Sequence, residues 1–324
     1  MNESQPKVRH HQVTTDEAGQ RIDNFLLRQL KGLPRSRVYR LLRRGEVRVD
    51  GGRVRPTRRL RADEVVRIPP VSVRKRGEGS GKELPAGLAE RLRSAVLYED
   101  ERLLILDKPS GLAVHGGSTV RLGLVEALRL LRPEQPFLEL AHRLDQETSG
   151  CLMLAKRRST LRRLHEQLRR CAIEKRYTAL LAGCVPGSSS FRVEAPLERL
   201  PGPVRERQVQ VSQQGRSALT AFRVKQRWSE ATLVEARLET GRTHQIRVHA
   251  RHIGHPVAGD DRYGDRARSA PVRRLGLRRL FLHAASLRFS HPETGEAIRV
   301  EAPLSAELQE VIEQLHQHES KEQA

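Results

Sequence analysis

Apolar residues along this chain recur at two spacings, and those spacings divide it into elements before any residue needs a role. A helix placed over residues 34–44 puts Val38, Leu41 and Leu42 on one side, with Pro34 suited to its start and Gly45 to its end. Alternation takes over from Glu46, and Asp50-Gly51-Gly52 closes that strand as a hairpin turn. A second alternating piece, 64–68, stops at Pro69-Pro70. Two short helices and a hairpin are therefore expected near the N-terminus. Farther on, the continuous apolar run 102–106 reads as a buried strand leading into a loop at 107–111. Residues 124–131 read as a helix, 151–155 as a strand, 159–170 as a helix capped by Ser159, and 176–181 as another strand. Strand 234–238 precedes a helix with Thr243 as its N-cap, Gly254 at its end and Pro256 beyond. A last strand is expected at 281–289 and a closing helix at 306–315.

These pieces mix irregularly, so the fold class expected is α+β: a mixed, mainly antiparallel sheet with peripheral helices, preceded by a small α+β unit. The boundaries expected are a tail at 1–15, a basic unit at 16–73, a flexible linker rich in Gly, Glu, Lys and Ser at 74–87, a larger domain at 88–315, and a disordered tail at 316–324.

Charge changes the picture. The chain carries a net charge of +21, and residues 21–76 alone hold 18 Lys/Arg against 5 Asp/Glu, more than half of that excess in about a sixth of the length. Such a surplus says little about fold and much about partners, and a polyanion such as nucleic acid is the first candidate. On the helix at 34–44, Arg37, Arg40 and Arg44 fall opposite the apolar side, and Arg35 joins them as an expected RNA contact. A solvated charged face is the ordinary reading of one such stripe; the concentration of charge favours nucleic acid. With 3% aromatic residues, the unit is expected to grip phosphates and RNA shape rather than splayed bases.

Other classes fall away. No apolar run approaches the ~20 residues that span a bilayer, so no membrane partner is expected. The polar stretch 1–20 has no apolar leader, and no Gly-rich phosphate loop suggests a nucleotide cofactor. Cys151, Cys171 and Cys184, an odd number without metal-site spacing, are read as ordinary buried thiols in a reducing cytoplasm. His244, His249, His252 and His255 crowd one segment, but none are four apart with a carboxylate between them, so packing and RNA contact are expected and a metal site is not.

A carboxylate in the polar loop His142-Arg143-Leu144-Asp145-Gln146-Glu147-Thr148-Ser149-Gly150 would by composition be a turn or cap residue. The string His142-Arg-Leu-Asp145 followed by Thr148-Ser-Gly150, however, resembles the signature loop of the pseudouridine synthases of the RluA type. Lys175-Arg176-Tyr177 and Thr240-Gly-Arg-Thr-His-Gln-Ile-Arg-Val-His249 resemble that family's second and third motifs, and His255-Pro256 with Asp260-Asp-Arg-Tyr-Gly264 continue the match. The basic unit resembles the S4 RNA-binding domain. Asp16–Leu26, Val114-His-Gly-Gly-Ser118 and Arg279–Ala285 narrow the resemblance to the branch acting on the ribosomal large subunit.

The resemblance implies a cofactor-free isomerase that converts uridines of 23S ribosomal RNA to pseudouridine, in the cytoplasm and as a monomer. It makes Asp145 the catalytic carboxylate, Arg247 the cation beside it and Tyr177 the aromatic that stacks on the target base. Arg143 is implied as the residue that helps flip the uridine out, and Leu282 as an apolar contact to the flipped base. The same chemistry on transfer RNA, or a ribosome-associated binder without activity, are the alternatives. The chemistry is coherent with these types. An ordinary glycosidase uses two carboxylates, but here the base never leaves, and one suffices. Whether that one attacks the sugar as a nucleophile or takes a proton from it, it must be ionised while shielded from water, which calls for a cation close by.

Overall fold

The computed structural model describes residues 8–30, 32–71, 84–116, 122–202 and 208–322, and the chain divides into two compact units, residues 1–84 and 85–324. Residues 74–83 of the linker expected at 74–87, and Ser118, lie outside the described residues.

The first unit contains β1 (Arg9–Gln12), α1 (Ile22–Gln29), α2 (Arg35–Arg44), β2 (Arg48–Val49), β3 (Gly52–Arg53) and β4 (Val65–Ile68), with sheet order β1-β4-β2-β3. α2 buries Val38, Leu41 and Leu42, the three residues its periodicity selects, and stops at Gly45, whose φ of 70° suits a residue without a Cβ. Those side chains join Ile22, Phe25 and Leu26 of α1 and Val66 and Ile68 of β4 in a core of the unit's own.

The second unit begins with α3 (Ala86–Ser94), β5 (Val96–Glu99), β6 (Leu103–Lys108), α4 (Leu124–Leu131), β7 (Glu139–Leu140), β8 (Ser149–Ala155) and α5 (Arg158–Arg169). It continues through β9 (Glu174–Ala182), β10 (Ser190–Glu194), β11 (Leu197–Arg199), β12 (Val209–Val211), β13 (Leu219–Arg227) and β14 (Ala231–Leu238). α6 (Gln245–His252), α7 (Arg266–Arg274), β15 (Leu282–Ser290), β16 (Ala297–Glu301) and α8 (Ala306–Glu322) complete it. Its main sheet runs β10-β13-β14-β9-β15-β8-β6-β5, with β16 beside β15 and β7 beside β8. Every pairing is antiparallel except β15 with β8. The mixed, mainly antiparallel α+β architecture expected from the sequence is the one observed. α5 packs Leu164 onto Leu103, Met153 and Phe289, while Val272 of α7 and Leu308, Val311 and Leu315 of α8 pack with Leu180, Trp228 and Phe281. No helix among the described residues is long and apolar enough to cross a membrane.

Several local expectations are corrected. β6 continues to Lys108, which is fully buried, although 107–108 reads as loop. α3 starts at Ala86, inside the stretch expected to be linker. Ser159 lies within α5, whose N-cap is Arg157 with no side-chain cap. Thr243 does not cap α6 either: its hydroxyl accepts a bond from Arg199, and His244 is the cap. α8 runs past His316 to Glu322 because His316 packs edge-on against Trp228 and its carbonyl accepts from the Ser320 hydroxyl. Of the three thiols only Cys151 is buried; Cys171 and Cys184 are exposed, each two residues beyond the end of an element.

Candidate active site

The loop between β7 and β8 carries Asp145, and the fold holds that loop from behind. Lys108, at the end of β6, points its ammonium at three backbone carbonyls, those of Pro109, Leu112 and Gln146, each 2.9 Å away. Gly111 N–H also reaches the Gln146 carbonyl at 2.9 Å, and the Ser110 hydroxyl donates to the Glu147 carbonyl at 2.7 Å. Burial drives the Lys108 ammonium down to about 8, against the pull of Glu147 and Asp145. At the far side of the loop Gly150 enters β8 with φ 106°, where a Cβ would lie 2.3 Å from the Ala284 carbonyl oxygen of β15. Only glycine permits that parallel pairing.

A cavity of about 590 Å³ opens in front of Asp145. Its walls include Arg143, Tyr177 and Leu282, so that residues from three stretches far apart in sequence meet there. Arg247 and His244 close it from α6. Tyr177 and Leu282 are buried, Arg143 is exposed, and the Asp145 side chain is 21% exposed. Burial and the Asp145 charge push the Tyr177 phenol well above its ordinary value, so it stays neutral. His142, at the rear, accepts from Met153 N–H at 3.1 Å, and burial brings it down to about 4.

Arg247 reaches Asp145 but belongs first to another carboxylate. Its Nε and Nη2 donate to the two oxygens of Asp260, both at 2.7 Å, and Nη1 then faces Asp145 Oδ2 at 3.5 Å. Asp260 is buried and also accepts from the backbone N–H groups of Arg262 and Tyr263, both at 2.9 Å. Burial opposes its ionisation, yet these donors, Arg247 foremost, hold its carboxyl below the usual range. The guanidinium lies 5.0 Å from the centre of the Tyr263 ring. Asp260 thus aims the cation that Asp145 meets.

The four crowded histidines are held apart. His249 is buried between the Thr220 hydroxyl, 2.9 Å, and the Ala195 carbonyl, 3.0 Å, while His255 bonds the Ala182 carbonyl at 3.0 Å. No group of three His, Cys, Asp or Glu that could hold a metal ion occurs among the described residues.

In the first unit the four arginines of α2 expected to meet RNA, out of five on that helix, divide. Arg35 lies 5.6 Å from the Tyr39 ring centre and 3.6 Å from buried Asp23, which also takes Arg21 and the Tyr39 hydroxyl. Arg44 sits 3.9 Å from Glu46. Arg37 and Arg40 make no ion pair among the described residues, and Arg40 is exposed where Arg37 is half-buried.

The model of the RNA pseudouridylate synthase family matches residues 102–252, and that of the S4 domain residues 20–66. Ribosomal large subunit pseudouridine synthase C of Pasteurella multocida (strain Pm70) is 50% identical over 308 residues, 95% of this chain and 94% of that protein. The chain belongs to the RNA pseudouridylate synthase family. The protein of the same description from Escherichia coli (strain K12) is 51% identical over 317 residues, 97% of this chain and 99% of its own. Among solved structures, Human RNA Pseudouridylate Synthase Domain Containing 4 superposes with a TM-score of 0.59 at 27% identity, over 71% of this chain and 96% of that one. The stretch matched by the RNA pseudouridylate synthase model takes in Asp145, Tyr177 and Arg247 but ends before Asp260, Tyr263 and Leu282.

The sequence gives no role in the site to Lys108, Asp260 or Tyr263, and of His244 it leads only to an expectation of packing or RNA contact. The signal for Asp260 was present: an arginine expected to be buried beside one carboxylate has further donors, and those need a second acceptor. Lys108 left no signal beyond its place at the end of an apolar run.

Proposed function

We propose that this chain isomerises specific uridines of 23S ribosomal RNA to pseudouridine, with Asp145 as the reacting carboxylate. The observation that carries this reading is the convergence of Asp145, Tyr177 and Arg247 on one cavity from three distant stretches. The substrate follows from the two large-subunit relatives, half identical to this chain across nearly their whole length. The work divides between residues 16–73, an S4-like grip on RNA, and residues 88–315, which hold the chemistry. A monomer acting in the cytoplasm is part of this proposal.

The reaction breaks the bond from uracil N1 to the ribose C1′ and turns the base within the pocket. It then joins C5 to C1′, releases the C5 proton and leaves N1 carrying a proton in its place. Asp145 faces the sugar as an anion, with Arg247 Nη1 opposing its charge at 3.5 Å. Tyr177, kept protonated by burial, offers its ring to the flipped uracil, and Leu282 closes the apolar side. A uridine taken out of its stack leaves a gap. Exposed Arg143, at the rim, is the side chain placed to fill it. No cofactor enters these steps.

The test is tritium release from 23S ribosomal RNA labelled at uracil C5. Asp145→Asn should abolish release while RNA binding stays within about two-fold, since the carboxylate acts in the chemical step rather than in holding the substrate. Turnover retained by that variant would refute the assignment.

A further inference from the structure

His244 stands where α6 begins, in the left-handed backbone region with φ 55°. For a residue with a Cβ that conformation costs about 1 kcal/mol or more and persists only where neighbours impose it. Here they do. The Gln245 side-chain oxygen accepts from Arg242 N–H at 3.0 Å and from the Thr240 hydroxyl at 2.8 Å, while Val248 N–H reaches the His244 carbonyl at 3.0 Å. The result places the imidazole between two groups: Nδ1 lies 2.6 Å from the Tyr263 hydroxyl, and Nε2 lies 3.7 Å from Asp145 Oδ1.

A proton count fixes the tautomer. Tyr263 is 3% exposed, and its hydroxyl oxygen already accepts Val209 N–H at 3.0 Å. If Nδ1 also donated to it, the phenol proton would be buried without an acceptor, at a cost of about 1–3 kcal/mol. The Tyr263 hydroxyl therefore donates to Nδ1, and the neutral ring carries its own proton on Nε2. Burial, reinforced by Arg247 and Arg262, brings the imidazole down to about 4 against the pull of Asp145 and Asp260. The ring is neutral, and its one N–H is directed at Asp145.

We propose that His244 is a positioning residue for Asp145, its tautomer set by Tyr263, so that Nε2–H addresses Oδ1 while Arg247 addresses Oδ2. The two carboxylate oxygens are thereby distinguished, and the plane of the carboxylate is held toward the sugar. This rests on Asp145 being the reacting carboxylate. The separations of 3.7 and 3.5 Å leave a short approach that substrate binding completes, as contacts in empty sites commonly tighten once the site is filled.

Two substitutions separate the ring's nitrogens. His244→Gln puts an amide nitrogen near the place of Nε2, and His244→Asn puts one near the place of Nδ1. In tritium-release kinetics on 23S ribosomal RNA, His244→Gln should keep kcat within about three-fold. His244→Asn should lose roughly 30-fold in kcat with KM unchanged, because a displaced reacting group costs rate rather than binding. Tyr263→Phe, which frees the tautomer, should lose about ten-fold in kcat. Equal losses in the Gln and Asn variants, or a loss confined to KM, overturn the proposal. Nitrogen-15 NMR of the wild-type histidines reads the tautomer without any variant, and a proton on Nδ1 of His244 overturns it even where a substituted chain fails to fold. A wild-type protein that releases no tritium refutes the isomerase reading itself. Active wild type with indifferent His244 variants refutes only the positioning role.

Discussion

Lys108 shows how much of this site depends on a residue that never faces the cavity. Its ammonium ties three carbonyls of two loops, one of them following Asp145 directly. The same burial that makes the clamp rigid makes its charge costly, since the folded protein holds that proton with a pKa of about 8 against 10.5 for an exposed lysine. Between those values the unfolded chain binds more protons than the folded one, so this group's contribution to stability rises with pH from about 8 to 10.5 and is flat below. Urea titrations of the wild type and of Lys108→Met across that interval should show their stability difference moving in favour of the wild type, by up to roughly 3 kcal/mol. A difference independent of pH would mean the ammonium is not desolvated. Single residues were also where the sequence was least legible. Asp145, Tyr177, Arg247, Arg143 and Leu282 could be named because motifs carry them. Lys108, Asp260 and Tyr263 each make a hydrogen bond to a partner 13 to 54 residues away, and periodicity has no term for such pairs.

At the scale of elements, α2 is the case where pattern and structure agree, as its apolar side is the buried side and Gly45 ends it. Agreement fails where the pattern is diluted. β13 buries Thr220 and Phe222 on one face, but past them its register shifts between Val224 and Gln226 and the alternation is lost. α7 contains Pro271, which hides its helical period, whereas the hairpin expected at Asp50-Gly51-Gly52 is present as β2 paired with β3. The structure also refines which arginines of α2 can meet phosphate. Arg35 is drawn to Asp23 and Tyr39, which leaves Arg37, Arg40 and Arg44 as the stripe. Replacing those three by glutamine should weaken RNA binding and flatten its dependence on salt by up to about 2–3 in the logarithmic slope. Filter binding from low to high salt measures this, and an unchanged slope would place the RNA grip elsewhere.

For the molecule as a whole, the chain forms two compact units, the first holding most of the excess positive charge with a core of its own and the second the large sheet. The composition shift read from the sequence, a surplus of 13 positive charges in 56 residues, falls within the first of these units. The sheet order was not legible, because strands that pair are distant in sequence and resemble one another in composition. Two histidines of the crowded segment take hydroxyl and carbonyl partners: His249 with Thr220 and Ala195, and His255 with Ala182. Turnover should therefore persist, within about two-fold, in millimolar chelator, and its loss would reopen the cluster as a metal site.

One consequence concerns synthesis. β15 lies between β9 and β8 in the sheet, yet it is the last of the long strands to be made. Until residue 282 has emerged, β8 and β9 have no strand to join them, and the wall holding Tyr177 is unconnected to the loop holding Asp145. A growing chain can present its basic N-terminal unit to RNA early, but it cannot modify any uridine until almost its full length is complete. A fragment released before that point would bind RNA without being able to act on it.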